Sequence, residues 1–376
     1  MRIAQVTPFY PPVVGGVESA VENISTLLVK DGYDVDVYTS SPNGSPSEEI
    51  VDGVNVRRFP MVLEIGTFAK FWPTFLNALR RQRYDVIHTH VYRHPHSTMV
   101  GLYSRLGGTK AVISTHGPFH PRDVWGRLAH IVRIHDLVLG RSLNMFEKVF
   151  ALGEIERRIL ENMHIEKEKI EVMPNGVSSE HLKVYDPKPF LKEYGIEGSY
   201  LCYLGRIHPT KGIEFLLRSF AKIGGVSEHS SLLIAGSGDQ DYLGNLKLVT
   251  NELGLKNRVK FLGYLEEEQK MQLLEGCSGL VLPSMYEPYG IVLLEAMAHG
   301  KPVIVTPGGA DLVSQDYNGL LVRYGDEEGM ARHLSTLLTE NDKVVELGRN
   351  GRVLANERVW ERIVTRLEKV YLEICN

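Results

Sequence analysis

The sequence predicts an α/β protein made of two doubly wound, mostly parallel sheets, and three observations carry that prediction. The chain has 376 residues, too many for one ordinary core and enough for two domains of somewhat under ~200 residues each. Short apolar runs alternate with helical stretches, the mark of strand–helix–strand units. The alternation occurs twice, on either side of a stretch that fits neither period.

The first series of strands is expected at residues 3–7, 34–39, 86–89, 111–115 and 148–151, each a short apolar run between helical stretches. The second is expected at 199–204, 231–235, 259–262, 279–282, 303–306 and 319–322. Between them, around 184–195, Asp186-Pro187-Lys188-Pro189 interrupts both periodicities. The expected domains are therefore 1–185 and 195–357, both Rossmann-like, with strand-end loops turned toward an intervening cleft. A closing helix over about 356–374 carries Val359, Trp360, Ile363, Val364, Leu367, Val370 and Tyr371 at helical spacing.

A net charge of −4 and 43% hydrophobic residues describe a soluble globular protein with no demand for a nucleic-acid partner. Cys202, Cys277 and Cys375 are widely separated and odd in number. That fits a reducing compartment and excludes a cysteine zinc site. Met1-Arg2-Ile3 leads straight into the first strand, so no signal peptide is expected, and no apolar run approaches membrane-spanning length. The expected location is the cytoplasm.

The densest signal is Ser284-Met285-Tyr286-Glu287-Pro288-Tyr289-Gly290-Ile291, running on through Glu295 to Val303. It joins two buried strand runs, so it sits at the carboxyl end of a strand, where open α/β sheets bind ligands. A helix beginning at about Tyr289 or Gly290 aims its free N–H groups and positive dipole end at that crevice, which suits an anion. Glu287, just before the helix, is placed to accept hydrogen bonds from ligand hydroxyls, and Glu295, over a turn further on, to reach a neutral diol. Phosphate and sugar hydroxyls on one ligand satisfy both requirements. Arg206 and Lys211 flank the end of another apolar strand in the same half. A guanidinium fork beside a mobile ammonium suits a diphosphate whose charge grows as it departs.

These segments resemble the signature of the retaining, nucleotide-sugar-dependent glycosyltransferases of the GT-B fold, family 4. Gly205-Arg206-Ile207-His208-Pro209-Thr210-Lys211-Gly212 is similar to the family's basic loop, Gly15-Gly16-Val17-Glu18 to its amino-terminal glycine loop, Ser114-Thr115-His116-Gly117 to its strand-end histidine, and Pro174-Asn175-Gly176-Val177 to the turn before the interdomain crossover. The resemblance implies that Arg206 and Lys211 hold the donor diphosphate, the Gly290 and Ile291 backbone meets phosphate, Glu295 takes the ribose diol and Glu287 the sugar hydroxyls. It places His116 and Gly16 on the first domain, beside the transferred sugar, with domain closure completing the site. Gly205, Gly236, Gly238, Phe261, Leu262 and Tyr289 complete the donor-binding set it implies, and residues 358–376 form a helix crossing back to the first domain.

Plainer readings compete at several positions. Gly236 and Gly238 could serve a strand-to-helix turn rather than a diphosphate. His88, His90, His94 and His96 include two same-face strand histidines, but no carboxylate or cysteine completes a metal set, so cleft-lining residues are the better reading. Asp34-Val35-Asp36 matches a short acidic motif of manganese-dependent transferases, yet reads best as a solvated strand entry. Phe68, Phe71, Trp72, Phe75, Leu76 and Leu79, followed by Arg80, Arg81 and Arg83, read as the core face of one amphipathic helix, with a basic membrane-surface helix as the alternative.

The expected activity is thus transfer of a hexose-type sugar from a UDP- or GDP-linked donor, GDP-mannose among them, to the hydroxyl of a glycan, a lipid-linked acceptor or a small molecule. No metal or other cofactor is expected, since side-chain cations and a helix terminus neutralise the phosphates. The rival readings are a GT-B nucleotide-sugar epimerase or hydrolase, which releases nucleotide without an acceptor, and a non-catalytic sugar-nucleotide binding protein. Peripheral membrane contact through the first domain is kept as an open partner.

Overall fold

The computed structural model describes residues 1–13, 15–41, 45–65, 69–117, 129–223, 230–306 and 311–376. The chain divides into two units, Met1–Asn175 together with Trp360–Asn376, and Gly176–Val359. Residues 176–185 and the helix Lys188–Glu193 thus lie with the second unit.

In the first unit the strands are β1 (Arg2–Thr7), β2 (Asp34–Ser40), β3 (Glu48–Val51), β4 (Val54–Phe59), β5 (Leu63–Ile65), β6 (Ala69–Phe71), β7 (Val86–His90), β8 (Lys110–Ser114), β9 (Lys148–Ala151) and β10 (Ile170–Val172). Eight of them form one sheet in the order β10-β9-β8-β7-β1-β2-β4-β3. All pairs in it are parallel except β3 with β4. Strands covered on both faces favour continuous apolar runs, and β8 and β9 supply them, while β1 and β7 bury Gln5, His88, Thr89 and His90 among their apolar residues. The strand order reverses between β1 and β7, the switch point where such sheets open a crevice.

The closing helix runs Trp360–Cys375 and buries Trp360, Ile363, Val364, Leu367, Val370 and Tyr371. These pack with Ile3, Val21, Leu28, Val35 and Val86, so the last helix belongs to the core of the first unit. At roughly 1.5–3 kcal/mol per fully buried large apolar side chain, this stripe is what fixes it there.

Three elements differ from the sequence reading. The β3–β4 hairpin went unread because Glu48-Glu49-Ile50-Val51 is polar and lies at the sheet edge. Its Asp52-Gly53 turn, with φ of 48° and 81°, is a hairpin signal that was available. The aromatic stripe is not one helix. Residues 69–71 form β6, and only Phe75–Arg80 is helical. Pro73, which cannot sit inside a helix, separates the two. Trp72, Phe75 and Leu79 still face the core, and Phe68 lies outside the described residues. Asp34 and Asp36 are not a solvated pair either. Asp36 is fully buried, 2.8 Å from the Arg2 guanidinium and hydrogen-bonded by the Tyr84 hydroxyl, while only Asp34 is exposed.

The second unit holds β11 (Tyr200–Leu204), β12 (Ser231–Ala235), β13 (Val259–Gly263), β14 (Gly279–Leu282), β15 (Val303–Val305) and β16 (Gly319–Leu321). They form a wholly parallel sheet in the order β13-β12-β11-β14-β15-β16, with its switch point between β11 and β14. The loops after these two strands carry the basic pair and the two-glutamate motif.

Candidate functional site

At the end of β14 the chain turns through Pro283–Gly290 into the helix Ile291–Ala298. Gly290 makes the turn possible: its φ of 78° and ψ of 64° are left-handed, and a Cβ there would lie 2.9 Å from Leu293 Cδ1 and 3.2 Å from Glu287 Cγ. The amides of the first turn, beginning at Ile291, have no carbonyl four residues back within the helix. Among them the Leu293 amide donates to the Gly290 carbonyl at 2.8 Å.

The loop after β11 packs against this turn, with the Met285 amide donating to the Thr210 carbonyl at 2.9 Å. Lys211 Nζ consequently lies 2.7 Å from Glu287 Oε2, both side chains more than four-fifths buried. Arg206 on the same loop is exposed, with no ion-pair partner among the described residues. The basic pair therefore splits into one cation held by a carboxylate and one presented to solvent.

Gly236 and Gly238 have a packing reason of their own. A Cβ on Gly236, whose φ is 137°, would sit 1.9 Å from the Gly205 carbonyl oxygen, and one on Gly238 1.9 Å from that of Ile207. The two strand-end loops are backbone against backbone, the Ile207 amide donating to the Ser237 carbonyl at 2.8 Å. Gly236→Ala is accordingly expected to lose roughly 1–3 kcal/mol of stability in urea unfolding. Gly254→Ala, also at positive φ but with nothing within 4 Å, is the control that isolates the backbone cost.

Glu295 is not a solvated helix residue. Its carboxylate is mostly buried, 3.1 Å from Lys270 Nζ and 3.7 Å from His181 Nε2. Burial alone would lower the Lys270 ammonium, but Glu295 and Glu267 outweigh it and leave its pKa raised. His181 is pushed down to about 3, by burial and then by Lys270 and His299. Lys270 and His181 were missed by the sequence reading, because Glu267-Glu268-Gln269-Lys270 looks like any solvated helix start. Phe261 and Leu262 are half-buried at the end of β13. Tyr289 is buried, its hydroxyl accepting from Arg358 at 2.9 Å, so its ring is committed to the interior of the unit.

In the first unit, Gly16 opens the helix Gly16–Lys30 after β1 and is exposed. His116 follows β8 with φ at 57°, and its Nε2 lies 2.9 Å from His90 Nδ1. Glu156 clamps this loop: its buried carboxylate accepts from Thr115 Oγ1 at 2.5 Å, the Gly117 amide at 2.9 Å and the Leu152 amide at 2.6 Å. Burial lowers the His116 pKa to about 4, so the ring is neutral at pH 7.

Three of the clustered histidines, His88 and His90 on β7 and His96 on the helix Pro95–Gly107, are committed to protein partners. His88 bonds Tyr371 and Ser114, His90 bonds Gln5 and His116, and His96 bonds the His90 carbonyl. Among the described residues no three His, Cys, Asp or Glu side chains converge as a metal-binding group. No helix among them is long and apolar enough to cross a membrane.

Two α/β units in succession, one sheet mostly parallel and one wholly so, are the architecture of the GT-B glycosyltransferases. The chain belongs to family 4 of these enzymes, since the model of "Glycosyltransferase Family 4" matches residues 14–181 and that of "Glycosyl transferases group 1" matches residues 192–354. An uncharacterized glycosyltransferase of Methanocaldococcus jannaschii is 28% identical over 99% of this chain and 98% of its own. Among solved structures, sucrose-phosphate synthase from Thermosynechococcus elongatus superposes with a TM-score of 0.84 at 22% identity, over 99% of this chain and 98% of that one. Anabaena HepE in complex with UDP gives 0.81 at 20% identity, over 99% and 100%.

Proposed function

We propose that this glycosyltransferase moves a hexose-type sugar from a nucleoside-diphosphate sugar to an acceptor hydroxyl with retention of anomeric configuration, and without a metal. The observation that carries the donor assignment is the meeting of Lys211 and Glu287, 76 positions apart in the chain, at 2.7 Å beside the first turn of a helix at the sheet's switch point. A carboxylate beside an ammonium and a helix N-terminus offers acceptors for sugar hydroxyls and positive charge for a diphosphate in one place.

In this reading Arg206 and Lys211 stabilise the departing diphosphate, the Gly290 and Ile291 backbone meets phosphate, Glu287 takes sugar hydroxyls and Glu295 the ribose diol. Lys270 then holds the Glu295 carboxylate in place. From the first unit, His116 and Gly16 face substrate. A UDP-linked donor is favoured by the Anabaena protein's complex with UDP. A thermal-shift panel of UDP- and GDP-sugars identifies the donor, since a ligand at about 100 times its Kd adds roughly 2.7 kcal/mol. The anomeric configuration of the product, read by NMR, tests retention.

The residue assignment is tested by separating the two glutamates. Glu295→Gln should weaken binding of both the intact donor and the free nucleoside diphosphate. Glu287→Gln should spare nucleoside diphosphate affinity and lower turnover. A charge-assisted hydrogen bond is worth roughly 1.5–3 kcal/mol, so the changes are on the order of tenfold to a hundredfold. Equal loss of nucleoside diphosphate affinity by calorimetry in the two variants would place the motif wrongly on the ligand.

A further inference from the structure

We propose that Gln5 and His90 are positioning residues that hold His116 in the tautomer protonated at Nε2, so that its Nδ1 is presented as a hydrogen-bond acceptor to a substrate hydroxyl. The inference deepens the reading above, on which it rests for the substrate-facing role of His116.

The chain of contacts lies within the first unit. Gln5 Oε1, on β1, is 2.7 Å from His90 Nε2 at the end of β7, and His90 Nδ1 is 2.9 Å from His116 Nε2. An amide oxygen only accepts, so His90 donates from Nε2. A neutral imidazole has one N–H, so the Nδ1 of His90 is an acceptor and His116 must supply the proton from its own Nε2. The remaining nitrogen of His116, Nδ1, carries a lone pair. It is buried and has no hydrogen-bond partner among the described residues. Burial also keeps His90 and His116 neutral, which the alternation of donor and acceptor requires.

Two further observations show that His116 is held against a cost. Its φ of 57° lies in the left-handed region, and the neighbouring loop after β7 holds Val91 at 70° and Arg93 at 73°. A β-branched residue there is strained, and such strain persists only where the surroundings over-determine it. The surroundings do so here. Glu156 holds the residues on both sides of His116, through the Thr115 hydroxyl and the Gly117 amide, and the Val91 and Tyr92 amides donate to the Ser114 and Thr115 carbonyls at 2.9 and 3.2 Å. The clamp sets where the ring stands; Gln5 and His90 set which nitrogen bears the proton.

The test is a long-range 1H–15N correlation spectrum of the full chain labelled with 15N-histidine at pH 7, with His116→Asn used to assign the signal. The wild type should show His116 as the Nε2-protonated neutral tautomer. His90→Leu removes the acceptor and should give a tautomer mixture with kcat about tenfold lower, the size of one neutral hydrogen bond, while donor KM stays within twofold. His90→Asn returns an acceptor oxygen near the Nδ1 position and should restore both. An Nδ1-protonated His116 in the wild type, as the opposite orientation of the Gln5 amide demands, overturns the proposal without any variant having to fold. So does a His90→Leu protein that keeps both the tautomer and kcat. Full turnover in His116→Ala is a different result: it removes the substrate-facing role and leaves the tautomer measurement standing.

Discussion

Replacing Lys211 by Ala should lower turnover by about a hundredfold to a thousandfold at saturating donor. A cation placed where charge develops on a leaving group typically contributes that much. Lys211 is oriented before substrate arrives, because Glu287 holds its Nζ at 2.7 Å and the Met285–Thr210 backbone bond ties the two loops together. No reorganisation is then needed as the diphosphate departs. Its removal leaves the Glu287 carboxylate without its cation, and melting curves of Lys211→Ala beside the double variant Lys211→Ala, Glu287→Gln separate that structural cost from the loss of rate. Arg206→Ala should also be slow but should leave folding untouched, since the side chain is exposed. Steady-state kinetics of both single variants with near-normal kcat would remove the diphosphate role.

What the chain reveals before folding follows from how each residue is used. Strands buried on both faces are mostly apolar, and so 148–151, 231–235 and 279–282 could be read to the residue. The hairpin at 48–59 lies at the edge of the sheet, where polar residues are tolerated and apolar continuity is lost. Asp36 looked like a solvated strand entry because its partners, Arg2 and Tyr84, are 34 and 48 positions away. The same limit hid Lys270 and His181 behind Glu295, and Gln5 and Glu156 behind His116. A motif records residues whose spacing along the chain is itself constrained. The residues that support them are placed by topology, at spacings that carry no local signal.

The buried histidines give the second large effect, a loss of stability in mild acid. His88, His90, His94, His96 and His116 lie in the first unit, and burial lowers all five, to about 4, 3 and 4 in the last three and well below the usual value in His88 and His90. In the unfolded chain they titrate near ~6.5. Between that value and the folded-state values the unfolded chain binds protons that the folded one refuses. Stability is therefore complete above pH 6.5 and falls as pH decreases, by up to ~1.4 kcal/mol per pH unit for each histidine. Five groups give an upper bound near ~7 kcal/mol for one pH unit, against a typical total of about 5–15 kcal/mol. Glu18 and Glu22, raised by burial, act in the opposite sense, over the interval from their raised values down to the ordinary carboxylate value of 4.5. Urea unfolding from pH 7.5 to 5 should thus show a steep fall beginning near 6.5. His94→Phe should make it shallower by about one proton, because His94 stands beside Phe9 and Lys70 and the replacement ring does not titrate. A midpoint that is flat down to pH 5 would mean that these rings accept protons in the folded state, and His116 could then no longer be the neutral acceptor that its role requires.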